Sequence, residues 1–267
     1  MQYKVSFANA FATGIFDGNT AAVVIVEDYP TAEEMLALAA LFNFSETAFL
    51  KREEAAQYHI RWFTPEVEVP LCGHATLASA GVLFAGVEKD SGLIWFHSLS
   101  GKLSARLTGD GIELDFPLDP PTPYPAEEAV LKALGSRDHV ATLFAPITHN
   151  LVIVLASPNA VMALRPDFEG LNAMRHLPYH GIAATAKDGE GYICRYFAPW
   201  EGINEDPVTG SAQTYLAPYW SSITGHDTLP GYQASTRGGR FTATLANGRL
   251  LLRGRTVTYL HGNVFVP

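Results

Sequence analysis

The sequence predicts an α+β protein built as two lobes of similar design, each a sheet folded against a helix. Three observations carry this expectation. A stretch of sequence recurs once, at half the chain length. Each copy runs from an alternating apolar–polar segment, through a loop, to a glycine and then to helical spacing. Glycine and proline are abundant, at 23 and 17 of 267 residues, which favours short strands and tight turns over a helical bundle.

The repeat is read directly. Residues 60–65 are IRWFTP and residues 194–199 are CRYFAP, 134 positions apart. EVEVPLCGHATLASAGVLF follows the first and WEGINEDPVTGSAQTYLAPYW the second, whose loop is three residues longer. Gly101–Leu107 (GKLSARL) then matches Gly239–Leu245 (GRFTATL) at an offset of 138. Drift of this size fits small loop insertions.

Taken in order, the first predicted element is a helix from Thr31 to Phe42, with a cap at Thr31 and acids in its first turn. The alternation over Tyr58–Phe63 predicts a strand that Pro65 ends. A helical pattern covers Ala75–Phe84, and its counterpart covers Ala212–Trp220. Strand pairs are expected at Leu93–His97 with Lys102–Leu107, and at Phe241–Leu245 with Arg249–Leu252. Gly109-Asp110-Gly111 and Asn247-Gly248 read as hairpin turns that tolerate positive φ. A helix over Ala126–Leu134 opens the second lobe, and Asp167–Met174 is too short and proline-flanked to assign. Proline-rich Phe116–Pro123 marks the boundary, giving lobes of residues 1–118 and 119–255.

Composition narrows the function. Hydrophobic residues make up 48% and charged ones 17%, enough for a sizeable core. Net charge is −9 with no long basic run, so no nucleic-acid partner is expected. No apolar run is long enough for a membrane span, no leader-like segment is visible, and a cytoplasmic location is expected. Cys72 and Cys194 lack metal-ligand or disulfide spacing, and nucleotide motifs are missing, so neither metal nor cofactor is expected.

Duplicated lobes would meet at a cleft, where ligand sites concentrate. Gly73-His74 and Gly210-Ser211 each open a predicted helix, whose free N–H groups suit a carboxylate. The same glycines also fit a plain turn-shaping role. Glu46 lies among Phe44, Ala48 and Phe49, where partial burial would raise its pKa into the range of a general acid–base; a capping or salt-bridging role fits too. His74 could move a proton, donate a hydrogen bond or serve structure, and Asp206 could orient substrate or brace its loop.

Several motifs together resemble the phenazine-biosynthesis (PhzF-like) family. They are Phe16-Asp17-Gly18-Asn19, Ser45-Glu46-Thr47-Ala48-Phe49, RWFTPEVEVPLCGHATLASA from Arg61, Glu205–Ala212 and Gln233–Gly239. The resemblance implies a fold similar to diaminopimelate epimerase. Two pseudo-symmetric lobes would each wrap a curved, mostly antiparallel sheet round a central helix, with the last strand, about 256–267, able to return to the first lobe. It also implies a homodimer and a cofactor-independent isomerase acting on a small carboxylate-bearing molecule. The family's acid–base glutamate falls on Glu46, with Asp206 and His74 completing the catalytic set; Gly73, His74, Gly210 and Ser211 fall on substrate-binding positions. An epimerase or lyase on a related small acid, or a non-catalytic binding protein of the same fold, remains open. The epimerase's paired thiols are not reproduced, since the loop matching that of Cys72 has no cysteine. Thr20 stands where the family usually has the proline of Gly-Asn-Pro, and a looser turn is expected there.

Overall fold

The computed structural model describes residues 2–136 and 139–266. The chain forms two compact units, Met1–Phe116 with Leu252–Pro267, and Pro117–Leu251. The transitions fall slightly before residues 118 and 255, the limits read from the sequence.

The first unit contains β1 (Gln2–Ala10), β2 (Asn19–Val26), α1 (Ala32–Phe42), β3 (Glu46–Glu54), β4 (Gln57–Phe63), β5 (Glu68–Val69), α2 (Gly73–Ala85), β6 (Leu93–Ser98), β7 (Gly101–Thr108) and β8 (Gly111–Pro117). Its sheet pairs β1 antiparallel with β2, β2 parallel with β3, and β3 antiparallel with β4. Then β4 runs parallel to β6, β6 antiparallel to β7, and β7 antiparallel to β8.

The second unit repeats this plan. It holds β9 (Thr122–Pro123), α3 (Glu128–Leu134), β10 (His139–Ala145), β11 (Asn150–Leu155), α4 (Pro158–Ala163), α5 (Phe168–Asn172), β12 (Gly181–Asp188), β13 (Gly191–Ala198), β14 (Ile203–Asp206), α6 (Gln213–Thr224), β15 (Thr228–Gln233), β16 (Gly239–Ala246) and the start of β17 (Arg249–Gly254). Pairing runs antiparallel from β10 to β11, parallel to β12, antiparallel to β13, parallel to β15 and antiparallel to β16. That succession of senses matches the first unit strand for strand. An ion pair recurs as well: Arg61 grips Glu68 at 2.7 Å, and Arg195 grips Glu205 at 2.7 Å. The final strand, β18 (Thr256–Phe265), pairs with β1 along its whole length.

Packing explains the sequence patterns. In α2 every residue from Gly73 to Phe84 is buried, and the helix touches β1, β2, β3, β7 and β18. Its alanines and glycines let strands come close; at Gly81 an added Cβ would collide with the side chain of Thr256. Opposite α2, the other face of the sheet carries α1. Met35, Leu38 and Ala39 pack there on Val5, Ala22, Val24 and Phe49. With both faces covered, β2 is buried from Asn19 to Val24, and from Ala21 to Val26 it reads as a continuous apolar run. β11 is buried throughout in the same way, with Leu151 and Ile153 packed against Val130, Leu134, Val161 and Leu171.

Local chemistry sets the ends of elements. Thr31 and Glu34 form a reciprocal capping box at α1, and Asn43 closes that helix in the left-handed region. Pro218 lies inside α6 and cannot donate to the carbonyl of Thr214, four residues back. The Asp119 N–H takes that carbonyl instead, at 3.0 Å. The Asp119 carboxylate is held in turn by the N–H groups of Ile147 and Thr148. Of the two expected hairpin turns, Asn247-Gly248 adopts positive φ at both residues, 52° and 73°. The Gly109-Asp110 turn also forms, joining β7 to β8 with Thr108 opposite Gly111, but without positive φ at Gly109 or Gly111. Gly111 is required for another reason: an added Cβ would come within 2.7 Å of the Gly254 carbonyl oxygen.

The turn at Thr20 is likewise tighter than expected. Thr20 Oγ1 donates to Asn9 Oδ1 at 2.6 Å, and the Asn9 amide holds the Ile15 carbonyl at 3.0 Å. The hydroxyl thus fastens the Thr13–Gly18 loop to the sheet. No helix among the described residues is long and apolar enough to cross a membrane.

Removing the Thr31 side chain tests the cap without disturbing the core, because that residue is exposed. Thr31→Ala is expected to lower the unfolding free energy of its unit by about 1 kcal/mol, measured by urea denaturation.

Candidate active site

Glu46 opens β3, with Ala21 of β2 beside it in parallel register. On the strand, Thr47 and Phe49 alternate with Glu46 and Ala48, so Glu46 and Phe49 face opposite ways. Phe49 belongs to the core under α1, and Phe44 packs edge-on against Phe7. The immediate surroundings of the Glu46 carboxylate are therefore not the apolar neighbours suggested by the sequence. They are the polar groups gathered at the start of α2.

The key contact is between Glu46 Oε2 and His74 Nε2, 3.2 Å apart, with the side chains 14% and 6% exposed. On the other side of the ring, Cys72 Sγ lies 3.5 Å from His74 Nδ1. Ser45 Oγ is 3.3 Å from His74 Nε2 and donates to Asn19 Oδ1 at 3.2 Å. Burial removes the imidazole from water and pushes its pKa from 6.5 down to about 3. The contact with Glu46 is accordingly the close approach of a carboxylate to a neutral ring rather than an ion pair. One tautomer fits the ring's hydrogen-bond partners: Nε2–H faces Ser45 Oγ, which gives its own hydrogen to Asn19, and Nδ1 accepts from the Cys72 thiol.

Gly73 and His74 are the first two residues of α2, after Cys72 in extended conformation. No side chain caps this helix start. The small Gly73 side lets the chain turn from Cys72 into a fully buried helix, and the turn aims His74 at Glu46.

In the second unit, Asp206 closes β14, and Gly210 and Ser211 lie on the loop that leads from it to α6. Asp206 is 7% exposed and accepts from Thr209 Oγ1. A buried network, legible in the sequence only as isolated glutamines, fixes this loop. Gln233 donates to the Asp206 carbonyl at 2.8 Å and accepts from the Thr209 N–H at 2.9 Å. Gln213 donates to the Thr209 carbonyl at 2.9 Å and accepts from Tyr192 Oη at 2.8 Å. Both glutamines are fully buried.

The second helix start differs from the one expected. α6 begins at Gln213, and a tighter turn precedes it, with Gln213 N–H on the Gly210 carbonyl and Thr214 N–H on the Ser211 carbonyl. Those two N–H groups are engaged within the chain. Cys194 lies on β13, 1% exposed, where burial pushes its thiol up to about 12. It is a buried packing residue held near Gln213 and Gln233.

Residues 8–262 match the family described as phenazine biosynthesis-like protein. An uncharacterised isomerase of Pseudomonas aeruginosa is 38% identical over 265 residues, covering 99% of both chains. A crystal structure of a phenazine biosynthesis protein of the PhzF family from Enterococcus faecalis superposes with a TM-score of 0.93 at 36% identity, over the whole of both chains. A hydroxyproline epimerase from Agrobacterium vitis shares the fold, with a TM-score of 0.62 at 12% identity over 98% of this chain and 92% of that one.

Two measurements test the site's physical state. His74 has a folded pKa below its unfolded value, so only the unfolded chain takes up this proton between about pH 6.5 and 3. Its ring resonances should not titrate between about pH 5 and 8, and its linkage should lower stability as pH falls from about 6.5 toward 3. A ring titrating near 6.5 in the folded protein would contradict the buried neutral state. Replacing Gln233 by Leu removes the partners of the Asp206 carbonyl and the Thr209 N–H. The expected loss is about 1–3 kcal/mol in chemical denaturation, the usual effect of stranding buried polar groups.

Proposed function

The chain belongs to the phenazine biosynthesis-like family and is an isomerase, and from that premise we propose that it moves a proton on a small carboxylate-bearing substrate with Glu46 as the acid–base group. The observation that carries this reading is the 3.2 Å contact between a partly exposed carboxylate and a buried, neutral imidazole.

The chemistry follows from the groups present. As a carboxylate, Glu46 takes a proton from a carbon activated by the substrate's own conjugation. The C–H electron pair moves into that conjugated system, and the Glu46 carboxyl then returns the proton to a different carbon. Substrate and product have the same formula, and Glu46 ends as it began. His74 stands against the carboxylate as a neutral neighbour and limits its movement across the cycle. With a pKa near 3 it is a poor proton store, so proton exchange is assigned to the carboxylate alone.

The family resemblance assigns substrate binding to Gly73, Gly210 and Ser211, and orientation of a substrate hydroxyl or amine to Asp206. The glutamine network supports that assignment for Asp206, because a rigid loop positions its carboxylate at little entropic cost. The partner expected in solution is a second copy of the chain.

Glu46→Gln retains shape and hydrogen-bonding reach while removing the titrating group. A folded Glu46→Gln protein should lose about 10²–10⁴-fold in turnover and in deuterium incorporation from solvent into substrate or product. Wild-type exchange in that variant would remove Glu46 from the mechanism. Ser211→Ala should act mainly on KM, and an unchanged KM would take Ser211 out of substrate binding.

A further inference from the structure

Cys72 has no part in the proton transfer proposed above, yet it converges on the same two side chains. One donor atom from each of Glu46, Cys72 and His74 lies within 4.8 Å of the other two. Among the described residues, no other trio of His, Cys, Asp or Glu side chains converges so closely. The sequence gives no warning of this. Cys72 and His74 flank one glycine, and the third donor comes from a strand well upstream, a spacing that matches no metal motif.

The donor chemistry is specific. A thiol, an imidazole and a carboxylate together suit a borderline-soft ion, whereas Mg²⁺ and Ca²⁺ prefer oxygen donors alone. Donors on one tetrahedral zinc ion stand about 3.3–3.8 Å apart, given metal–ligand lengths of about 2.0–2.3 Å. Glu46 Oε2 stands 3.2 Å from His74 Nε2 and Cys72 Sγ 3.5 Å from His74 Nδ1, so an ion on either ring nitrogen has one of these donors close and draws the other round. With all three donors within 4.8 Å, the widest pair must close by about 1 Å. The three donors sit on rigid supports, at the head of a fully buried helix and at the start of a strand paired on both sides. Cys72 and His74 are almost out of water and Glu46 is partly exposed, which leaves the fourth position for a solvent molecule.

We propose that Glu46, Cys72 and His74 form a three-donor site for a divalent cation of the Zn²⁺ class, and that its occupancy takes Glu46 out of proton transfer. The site stands on the donor geometry; the inhibitory consequence rests on the role proposed above for Glu46. Binding is reversible, and the ion is an inhibitor rather than a participant in the reaction.

The test uses untagged, full-length protein stripped with a chelator and titrated with Co²⁺ in the absence of substrate. One equivalent should produce a thiolate-to-cobalt charge-transfer band in the near ultraviolet, and Zn²⁺ should displace it. Cys72→Ser should abolish the band, Cys194→Ser should leave it, and Glu46→Gln should weaken Zn²⁺ binding by at least about 10-fold. A wild-type protein without the band, or a band that survives Cys72→Ser, overturns the site. Should Cys72→Ser fail to fold by circular dichroism, Glu46→Gln decides, and an unchanged Zn²⁺ affinity overturns it. Deuterium exchange then separates the two readings. Exchange insensitive to Zn²⁺ in a protein that shows the band overturns the inhibition. Wild-type exchange in Glu46→Gln overturns the proton-transfer role and leaves the metal site standing.

Discussion

The first unit is organised by one constraint, the enclosure of α2. A helix buried along every face has no surface to give to solvent, so strands must wrap it. Its small residues are what make that possible, because they bring β1, β2 and β18 close to the helix axis. Enclosure also decides what the helix start can present. His74 sits one residue into a buried helix, and its ring loses water with the rest. The imidazole is thereby kept neutral where it meets Glu46. The chemistry of the site is a by-product of where the helix had to go.

The two units share a topology and use it differently. At the head of α2 a handful of side chains touch through single contacts, and part of the Glu46 carboxylate stays open to solvent. The corresponding loop before α6 is closed by Gln213, Gln233 and Thr209, whose hydrogen bonds leave Asp206 with little freedom. Duplication supplied equivalent junctions. Divergence then placed a carboxylate–imidazole contact at one and a rigid brace at the other. The surviving ion pairs, Arg61 with Glu68 and Arg195 with Glu205, record the common origin.

Much of this was legible in the sequence, for identifiable reasons. Strand and helix positions followed from periodicity, and the repeat revealed the topology because both copies kept the order of strand, loop, glycine and helix. Glu46 and His74 were candidates by residue type, and the structure brings them together. Their surroundings were not legible. Phe49 belongs to the opposite face of the strand and Phe44 packs on Phe7 before the strand begins, and which face a helix covers is decided by tertiary packing. Gln213 and Gln233 were overlooked for a related reason, since a buried amide reads like a surface one until its partners are known. At Thr20, a departure from the family pattern suggested a looser loop. The hydroxyl supplied a hydrogen bond that proline could not make, and the loop is pinned.

The pairing of β18 with β1 has a consequence for biosynthesis. The second unit is contiguous, so all its strands exist once residue 251 has left the ribosome. The first unit is complete only after Thr256–Phe265 follow. Until then β1 keeps one edge unpaired, open to the kind of strand addition that leads nascent chains astray. The half of the protein synthesised first is therefore the half that finishes last.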